Sequence, residues 1–506
     1  MGKKQLIINL FANLLAFGVQ FGINFFLTPY IINSLGSEAY GFIPLSTNVV
    51  GITNIITVAF YSMVGRYIAV EVNRNDMDRA SVYFTSSTIA NLLLTLILLI
   101  PSVLITLCAD KLINIPDELV FDVQLVFAFS FINMFISLVL SAYGAVFVAA
   151  NRLDLSARKN IEGNILRAIL LIGLFSLFAP KVYFLNATMV VVTAYLVLTN
   201  VRYTHQLLPD MKFALKNFRL DAVKEMVSVG VWNSFSQAGT MLFSSLDLLL
   251  ANLLVGSVVA GEYSVSKTIP NFIQSIITML VAVFVPQFTM YYARKEKDKM
   301  MESISFSIRV MGFLCAVPIG FLLVFGQQFF SLWVPTQDAN LLHGLSVVTL
   351  LGLVLTCSTS VLGDVFTVTA KLKVPSIVQL ILGVINIVVV ILLIKITPLG
   401  IWAIPLSSVI VAALRGLVFM PIYAAICLNV KYKLFYLPIL QSLVCVLLMI
   451  LVSEIYRLIF PATSWSLLTL AGVICAGIAC CINIFIVLNR EDRRRLSVTL
   501  LSRIHR

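Results

Sequence analysis

Fourteen apolar runs, each about 20 residues or longer, fill most of this 506-residue chain. They cover 7–32, 40–70, 82–108, 119–150, 160–179, 182–203, 225–254, 262–292, 303–331, 340–369, 374–395, 399–428, 435–459 and 464–489. About 20 consecutive apolar residues make a helix long enough to cross a bilayer. Several runs exceed that, which permits tilt. Only 11% of residues are charged and mean hydropathy is +1.01. A soluble protein carries about 25% charge, so this supply cannot clothe a water-facing surface. The reading is an all-α polytopic membrane protein with fourteen transmembrane helices. Lys3 and Lys4 lead into an apolar stretch with no small-residue cleavage site, so no cleaved signal peptide is expected.

The basic residues test the count. With an even number of spans, both termini share one side. That side holds 26 Lys or Arg and the opposite loops hold four, Lys111, Lys181, Lys395 and Arg457. The positive-inside rule then puts both termini in the cytoplasm. The net charge of +12 is thus explained by topology and anionic lipid headgroups, and no nucleic-acid partner is expected. The eight cysteines show neither metal-ligand nor CxxC spacing, and the three histidines are scattered. No metal or cofactor is expected, and no phosphate loop or nucleophile elbow appears.

The chain repeats itself. Tyr40 set on Tyr263 brings Asn48 onto Asn271, and GAVFVAANRL (144–153) aligns without gaps on GDVFTVTAKL (363–372). The offsets are 223 and 219. Six helices per half is an even number, so the halves share one orientation about an axis along the membrane normal. The expected organisation is an N-lobe (1–203), a linker (204–224), a C-lobe (225–428), two further helices (429–489) and a basic tail (490–506). The linker mixes basic and apolar residues in a way that suits a helix lying on the cytoplasmic face. Gly36 and Gly256 sit at the turn that opens the second helix of each half.

The first span and its corner carry Asn13, Pro29 and Leu35-Gly36-Ser37-Glu38-Ala39-Tyr40-Gly41. In these residues, the chain resembles the bacterial polysaccharide transporter family. That family comprises O-antigen-type flippases in the superfamily that also holds multidrug and toxin extrusion (MATE) transporters and lipid II flippases. The 12+2 helix plan extends the resemblance over nearly the whole chain. The resemblance implies a MATE-like fold of two six-helix lobes plus two helices. It implies flipping of undecaprenyl-pyrophosphate-linked oligosaccharide, of O-antigen, capsule or exopolysaccharide type, to the periplasmic leaflet of the inner membrane. Where relatives carry an early proline in the seventh span, this chain has Gly230-Val231-Trp232, which leaves a broken helix there in question.

A charge inside a span costs roughly 2.5–3.5 kcal/mol at mid-helix and should face a partner or a wet cavity. The basic candidates for a cationic lumen are Arg415, Arg66, Arg309, Lys267 and Arg167; Asp247 and Asp364 are candidates for an ion-coupling or sugar contact. Arg suits a lipid pyrophosphate because it stays charged and grips oxygens bidentately. Each has a structural alternative. Arg66, Arg309 and Lys267 can snorkel to headgroups, Glu162 can pair with Arg167, Asp364 can pair with Lys371 or cap a helix, and Asp247 can pair with a salt-bridge partner. Gly312, Pro318, Gly320, Pro405 and Pro421 mark either kinks or tight packing. Arg415, nearest the middle of its span, is the leading lumenal candidate.

The expected function is transport by alternating access, driven by an ion gradient, without enzymatic chemistry. The partners expected are the lipid-linked oligosaccharide, membrane lipids and a polysaccharide polymerase or ligase. Two rivals share the fold: a cation-coupled multidrug antiporter and a lipid II flippase. The antiporter needs acidic residues in its cavity, and the first span holds no carboxylate.

Overall fold

A computed structural model describes residues 3–244, 246–369 and 371–486. The basic tail at 490–506 lies outside the described residues. All regular structure among them is helical. Thirteen helices are long and apolar enough to cross a membrane, and a bent pair, Leu220–Leu242 with Asp247–Leu254, makes a fourteenth. The contacts divide the chain into two compact units, Met1–Ser264 and Val265–Arg506.

The first unit contains α1 (Lys3–Leu35), α2 (Ser37–Tyr61), α3 (Val64–Asn73), α4 (Met77–Leu107), α5 (Ala109–Leu112) and α6 (Val120–Val139). The short α7 (Ser141–Gly144) and α8 (Val146–Ala149) continue α6, then come α9 (Leu153–Leu177), α10 (Tyr183–Leu207), α11 (Leu220–Ser244), α12 (Asp247–Leu254) and the start of α13 (Ser257–Ala282). Its chemistry is inverted relative to a soluble bundle. On α4, Ser81, Thr85, Ser86, Ser87 and Asn91 are buried, while Ile97, Ile100 and Leu107 are each more than 60% exposed. Only a hydrocarbon solvent makes that the stable arrangement.

Those buried hydroxyls organise the linker. The backbone N–H groups of Lys212, Ala214 and Arg219 donate to Ser81, Thr85 and Ser86 at 3.1, 3.4 and 2.9 Å. Leu208 and Met211 insert into the core beside Phe84 and Val146. The expected surface helix over 204–224 is therefore absent. α10 runs on to Leu207, the chain then extends with one 3₁₀ turn at Leu215–Asn217, and α11 starts at Leu220. Side-chain hydroxyls satisfy the backbone donors that a helix would have satisfied internally.

α11 is continuous through Gly230-Val231-Trp232 and bends by 43° later, between Leu242 and Asp247. Gly230 serves contact rather than bending, since a Cβ there would lie 2.0 Å from the Ala59 carbonyl oxygen on α2. This close approach puts the helix that follows the linker in the first compact unit.

The repeat is visible in the helix ends. Gly36 (φ 84°) and Gly256 (φ 128°) open α2 and α13. In each case the residue four on donates back to the glycine carbonyl, Tyr40 at 3.2 Å and Ala260 at 3.1 Å. The corners thus match at an offset of 220, so the counterpart of Tyr40 is Ala260, and Tyr263 sits nearly one turn beyond it. Left-handed Asn75 and Lys295 end equivalent helices with the same wrap, Asp76 N–H to Glu71 and Glu296 N–H to Tyr291. The gapless Gly-x-Val-Phe alignment holds at 219: Arg152 N–H donates to Phe147 and Lys371 N–H to Phe366.

The second unit continues through α14 (Val285–Ala293), α15 (Lys297–Trp333), α16 (Ala339–Thr356), α17 (Leu362–Val368), α18 (Lys373–Ile396), α19 (Ala403–Ala413), α20 (Met420–Leu428), α21 (Lys433–Ile459) and α22 (Trp465–Ile486). A six-residue π-helical stretch, Leu414–Phe419, joins α19 to α20. α15 stays unbroken across Gly312, Pro318 and Gly320. The two glycines serve packing instead: a Cβ on Gly312 would meet Ser442 at 2.0 Å, and one on Gly320 would meet Met449 at 2.7 Å. Small residues let α15 and α21 pack backbone to backbone, which ties the helix pair after the repeat into this unit.

Close approach also governs Gly261, whose Cβ would lie 2.4 Å from the Ser37 carbonyl oxygen, whereas a Cβ on Gly18 would meet nothing within 4 Å. Gly261→Val is expected to cost about 1–3 kcal/mol by overpacking, or to prevent folding. Gly18→Ala should be neutral or slightly stabilising. Thermal unfolding in detergent compares them, and equal midpoints would contradict the packing assignment.

Candidate functional site

The first unit encloses a cavity of 540 Å³. α2 lines it with Ile43, Thr47, Val50, Asn54, Thr57 and Tyr61, one face of a helix at alternating spacings of four and three. α6 and α7 add Ser130, Asn133, Ser137 and Ser141, each four residues or so from the last, along with Phe129, Met134 and Leu138. α9 contributes Arg167, and α10 contributes Leu185, Asn186 and Met189.

The polar lining is braced internally. Asn186 Nδ2 donates to Ser130 Oγ at 2.6 Å. Ser130 Oγ lies 3.2 Å from Ser46 Oγ. Thr193 donates to Asn133 Oδ1, and Thr57 to Asn54 Oδ1 at 3.2 Å. Among the described residues, Arg167 is the one charged residue on the wall. Its Nη1 donates to Asn24 Oδ1 on α1 at 3.2 Å, and its Nε is buried without an acceptor. The open pairing of Glu162 with Arg167 does not form. Glu162 instead binds Arg158 at 2.9 Å and accepts from Tyr195 at 2.7 Å. Asp122 is held by Lys181 and Asp154 by Arg152. Among the described residues, no carboxylate pairs with Arg167.

The remaining candidates are dispersed. Arg66 is exposed on α3, in an open groove with Ser62, Gly65 and Asn73. Asp247 begins α12, is 4% exposed and accepts from Tyr263 Oη at 3.4 Å. In the second unit, Lys267 and Arg309 are both buried, which leaves little of either to reach headgroups. Asp364, on α17, does not bond to Lys371, whose Nζ reaches the Cys427 carbonyl at 3.4 Å. The Asp364 Oδ2 atom is buried without a partner. Lys159, which reads as a loop residue in the sequence, is buried 4.7 Å over the Phe147 ring and donates to Asn200 Oδ1. Phe147 is the phenylalanine of the repeated Gly-x-Val-Phe motif, so part of the repeat's role here is to cover a buried cation.

The cavity's neutral polar residues escape notice in the sequence because each sits singly in an apolar run. Their signal is spacing: Thr47, Asn54, Thr57 and Tyr61, and Ser130, Asn133, Ser137 and Ser141, each recur on one helical face.

Residues 6–292 match a protein family described as "Polysaccharide biosynthesis protein". The chain belongs to this family. A family-wide likeness extends to the uncharacterized membrane protein EpsK of Bacillus subtilis (strain 168), 27% identical over 487 residues, 96% of each chain. Among solved structures, the lipid II flippase MurJ in an inward closed conformation is 12% identical, covering 96% of this chain and 99% of that one, with a TM-score of 0.65. An inward-facing multidrug resistance MATE family transporter of the MOP superfamily is 15% identical, covering 84% and 99%, with a TM-score of 0.57. At these identities the two structures establish the MATE-like fold.

In this polysaccharide biosynthesis family member, Arg415 occupies the π-helical stretch Leu414–Phe419, a distortion that recurs at functional sites. Its cause is local. Pro421 has no N–H to offer the Leu417 carbonyl, and Tyr436 Oη on α21 supplies the missing donor at 2.9 Å. Gly416 allows the wide turn to approach α16, where a Cβ would lie 2.7 Å from the Leu355 carbonyl oxygen. Tyr436→Phe is expected to destabilise the protein by about 1 kcal/mol. The effect should shrink when Pro421→Ala restores the backbone donor, a coupling that a double-mutant cycle of unfolding midpoints measures. Additive effects would mean that Tyr436 does not substitute for that N–H.

Proposed function

We propose that this protein is a flippase that carries undecaprenyl-pyrophosphate-linked oligosaccharide from the cytoplasmic to the periplasmic leaflet of a bacterial inner membrane, by alternating access. The observation that carries the reading is a cavity whose only charge among the described residues is a guanidinium, in a chain of the polysaccharide biosynthesis family. Anionic cargo is attracted to such a wall, and a cationic drug is repelled by it. A multidrug antiporter would need a carboxylate where this cavity has Thr47, Asn54 and Asn133.

The lipid tail needs no protein pathway, because it can stay in hydrocarbon while the headgroup crosses. The headgroup does need polar surroundings over ~30 Å, and neutral carboxamides and hydroxyls replace its hydration at lower cost than fixed charges. Cytoplasmic termini follow from the basic residues gathered on one side. An ion gradient supplies the driving force, and a polymerase or ligase takes the delivered cargo. No bond of the cargo is made or broken. A lipid II flippase remains the nearest alternative, since its fold is the same and its cargo differs in the saccharide.

Proteoliposome flipping tests the proposal, with the native protein and Arg415→Ala compared on a lipid-pyrophosphate oligosaccharide and on a cationic dye. Flipping of the oligosaccharide lipid is expected, reduced at least tenfold in a folded Arg415→Ala variant, with no dye movement. Dye export without lipid flipping would replace the proposed cargo with a drug-like cation.

A further inference from the structure

We propose that the cavity of the first unit binds a sugar residue that carries a carboxylate, so that the cargo is an acidic oligosaccharide. This deepens the flippase reading and rests on it. Three features of the cavity argue for it together.

The first is charge. Among the described residues, Arg167 is the single charged residue on the wall, and it donates to the Asn24 carboxamide oxygen. Its Nε is buried with no acceptor. A buried guanidinium with no paired carboxylate among the described residues is costly to maintain, and that cost is offset when one negative charge arrives. One cation matches one carboxylate. A pyrophosphate, with more than one charge, would leave charge uncompensated in the same space. The guanidinium fork also suits a planar carboxylate, which can accept two parallel hydrogen bonds.

The second is the lining. Asn54, Asn133 and Asn186 can both donate and accept, as can the hydroxyls of Thr47, Ser137 and Ser141. Sugar hydroxyls need the same dual capacity. A lone halide would use only the donors. The third is size. The cavity of 540 Å³ falls within the range for small-molecule sites, and Tyr61 and Phe129 on its wall add the ring surface on which the apolar face of a sugar can rest. A free inorganic anion and a sugar carboxylate share the chemistry that Arg167 recognises, and the binding experiment separates them.

The full-length protein in lipid nanodiscs is titrated with D-glucuronate, D-glucose and sodium chloride, and binding is read by saturation-transfer NMR of the sugars. Glucuronate is expected to bind at least tenfold more tightly than glucose. Arg167→Gln should abolish that preference while glucose binding stays unchanged, and Arg167→Lys should retain part of it. Arg158→Gln, at an exposed arginine paired with Glu162, should behave as native. Elution profile and unfolding midpoint establish that each variant is folded. Equal binding of the two sugars by the native protein would overturn the proposal, as would a glucuronate preference that survives Arg167→Gln. Displacement of glucuronate by chloride at equal concentration would also overturn it, assigning Arg167 to an inorganic anion. Flipping of a neutral oligosaccharide lipid in the same preparation tests the parent reading separately. If that lipid flips and glucuronate does not bind, the acidic-sugar assignment fails and the flippase stands. If glucuronate binds and neither this lipid nor a glucuronate-bearing oligosaccharide lipid moves, the flippase reading fails.

Discussion

A polar atom in hydrocarbon has no water to bond, so it must find its partner within the protein. The architecture of this chain follows from that constraint. α4 turns its serines, threonines and asparagine inward and its leucines and isoleucines outward. The buried hydroxyls hold the linker through its backbone N–H groups. Tyr436 answers the carbonyl that Pro421 leaves open. Where the constraint is left partly unmet, at Arg167, the structure has a cavity. The same rule that builds the scaffold therefore marks the place where a ligand can complete it.

Close packing is the second organiser, and glycine is its instrument. With apolar helices in an apolar solvent, association depends on dispersion and close backbone contact. Gly230 against Ala59, Gly261 against Ser37, Gly312 against Ser442 and Gly320 against Met449 each occupy a position where a methyl group would collide. In the sequence these glycines read equally well as hinges, because a missing side chain is compatible with both roles. The helices running through Gly230, Gly312 and Gly320 are continuous, which decides for packing. The bend in the seventh span lies instead between Leu242 and Asp247.

The two units share a pattern of corners and wraps in which special conformations recur at an offset of 219 or 220: Gly36 and Gly256, Asn75 and Lys295, and the carbonyls of Phe147 and Phe366. The residue types at matching positions vary, as at Asn75 and Lys295, while the backbone conformation persists. The Tyr40–Tyr263 match lies three positions out of the structural register, whereas the offset of 220 pairs Gly36 with Gly256, Ser37 with Ser257 and Gly41 with Gly261. Hydrogen-bond geometry is the more faithful record of the repeat because it is what each helix end has to satisfy.

The sequence by itself determined the class, the span count and the repeat. Each of these depends on the length, spacing and charge of segments, quantities that a bilayer of fixed thickness reads directly. It also singled out Arg167, since a charge in an apolar run is conspicuous. Only the tertiary structure decided which charges share a wall with neutral polar groups. Arg66, Arg167 and Lys159 look alike as basic residues in or beside apolar runs, yet one is exposed, one lines the cavity and one is covered by an aromatic ring. Burial and partners are set by contacts between helices far apart in the chain, such as α1 with α9 and α6 with α10. Spacing along one helix fixes the face on which a residue lies; what that face meets depends on the neighbouring helix.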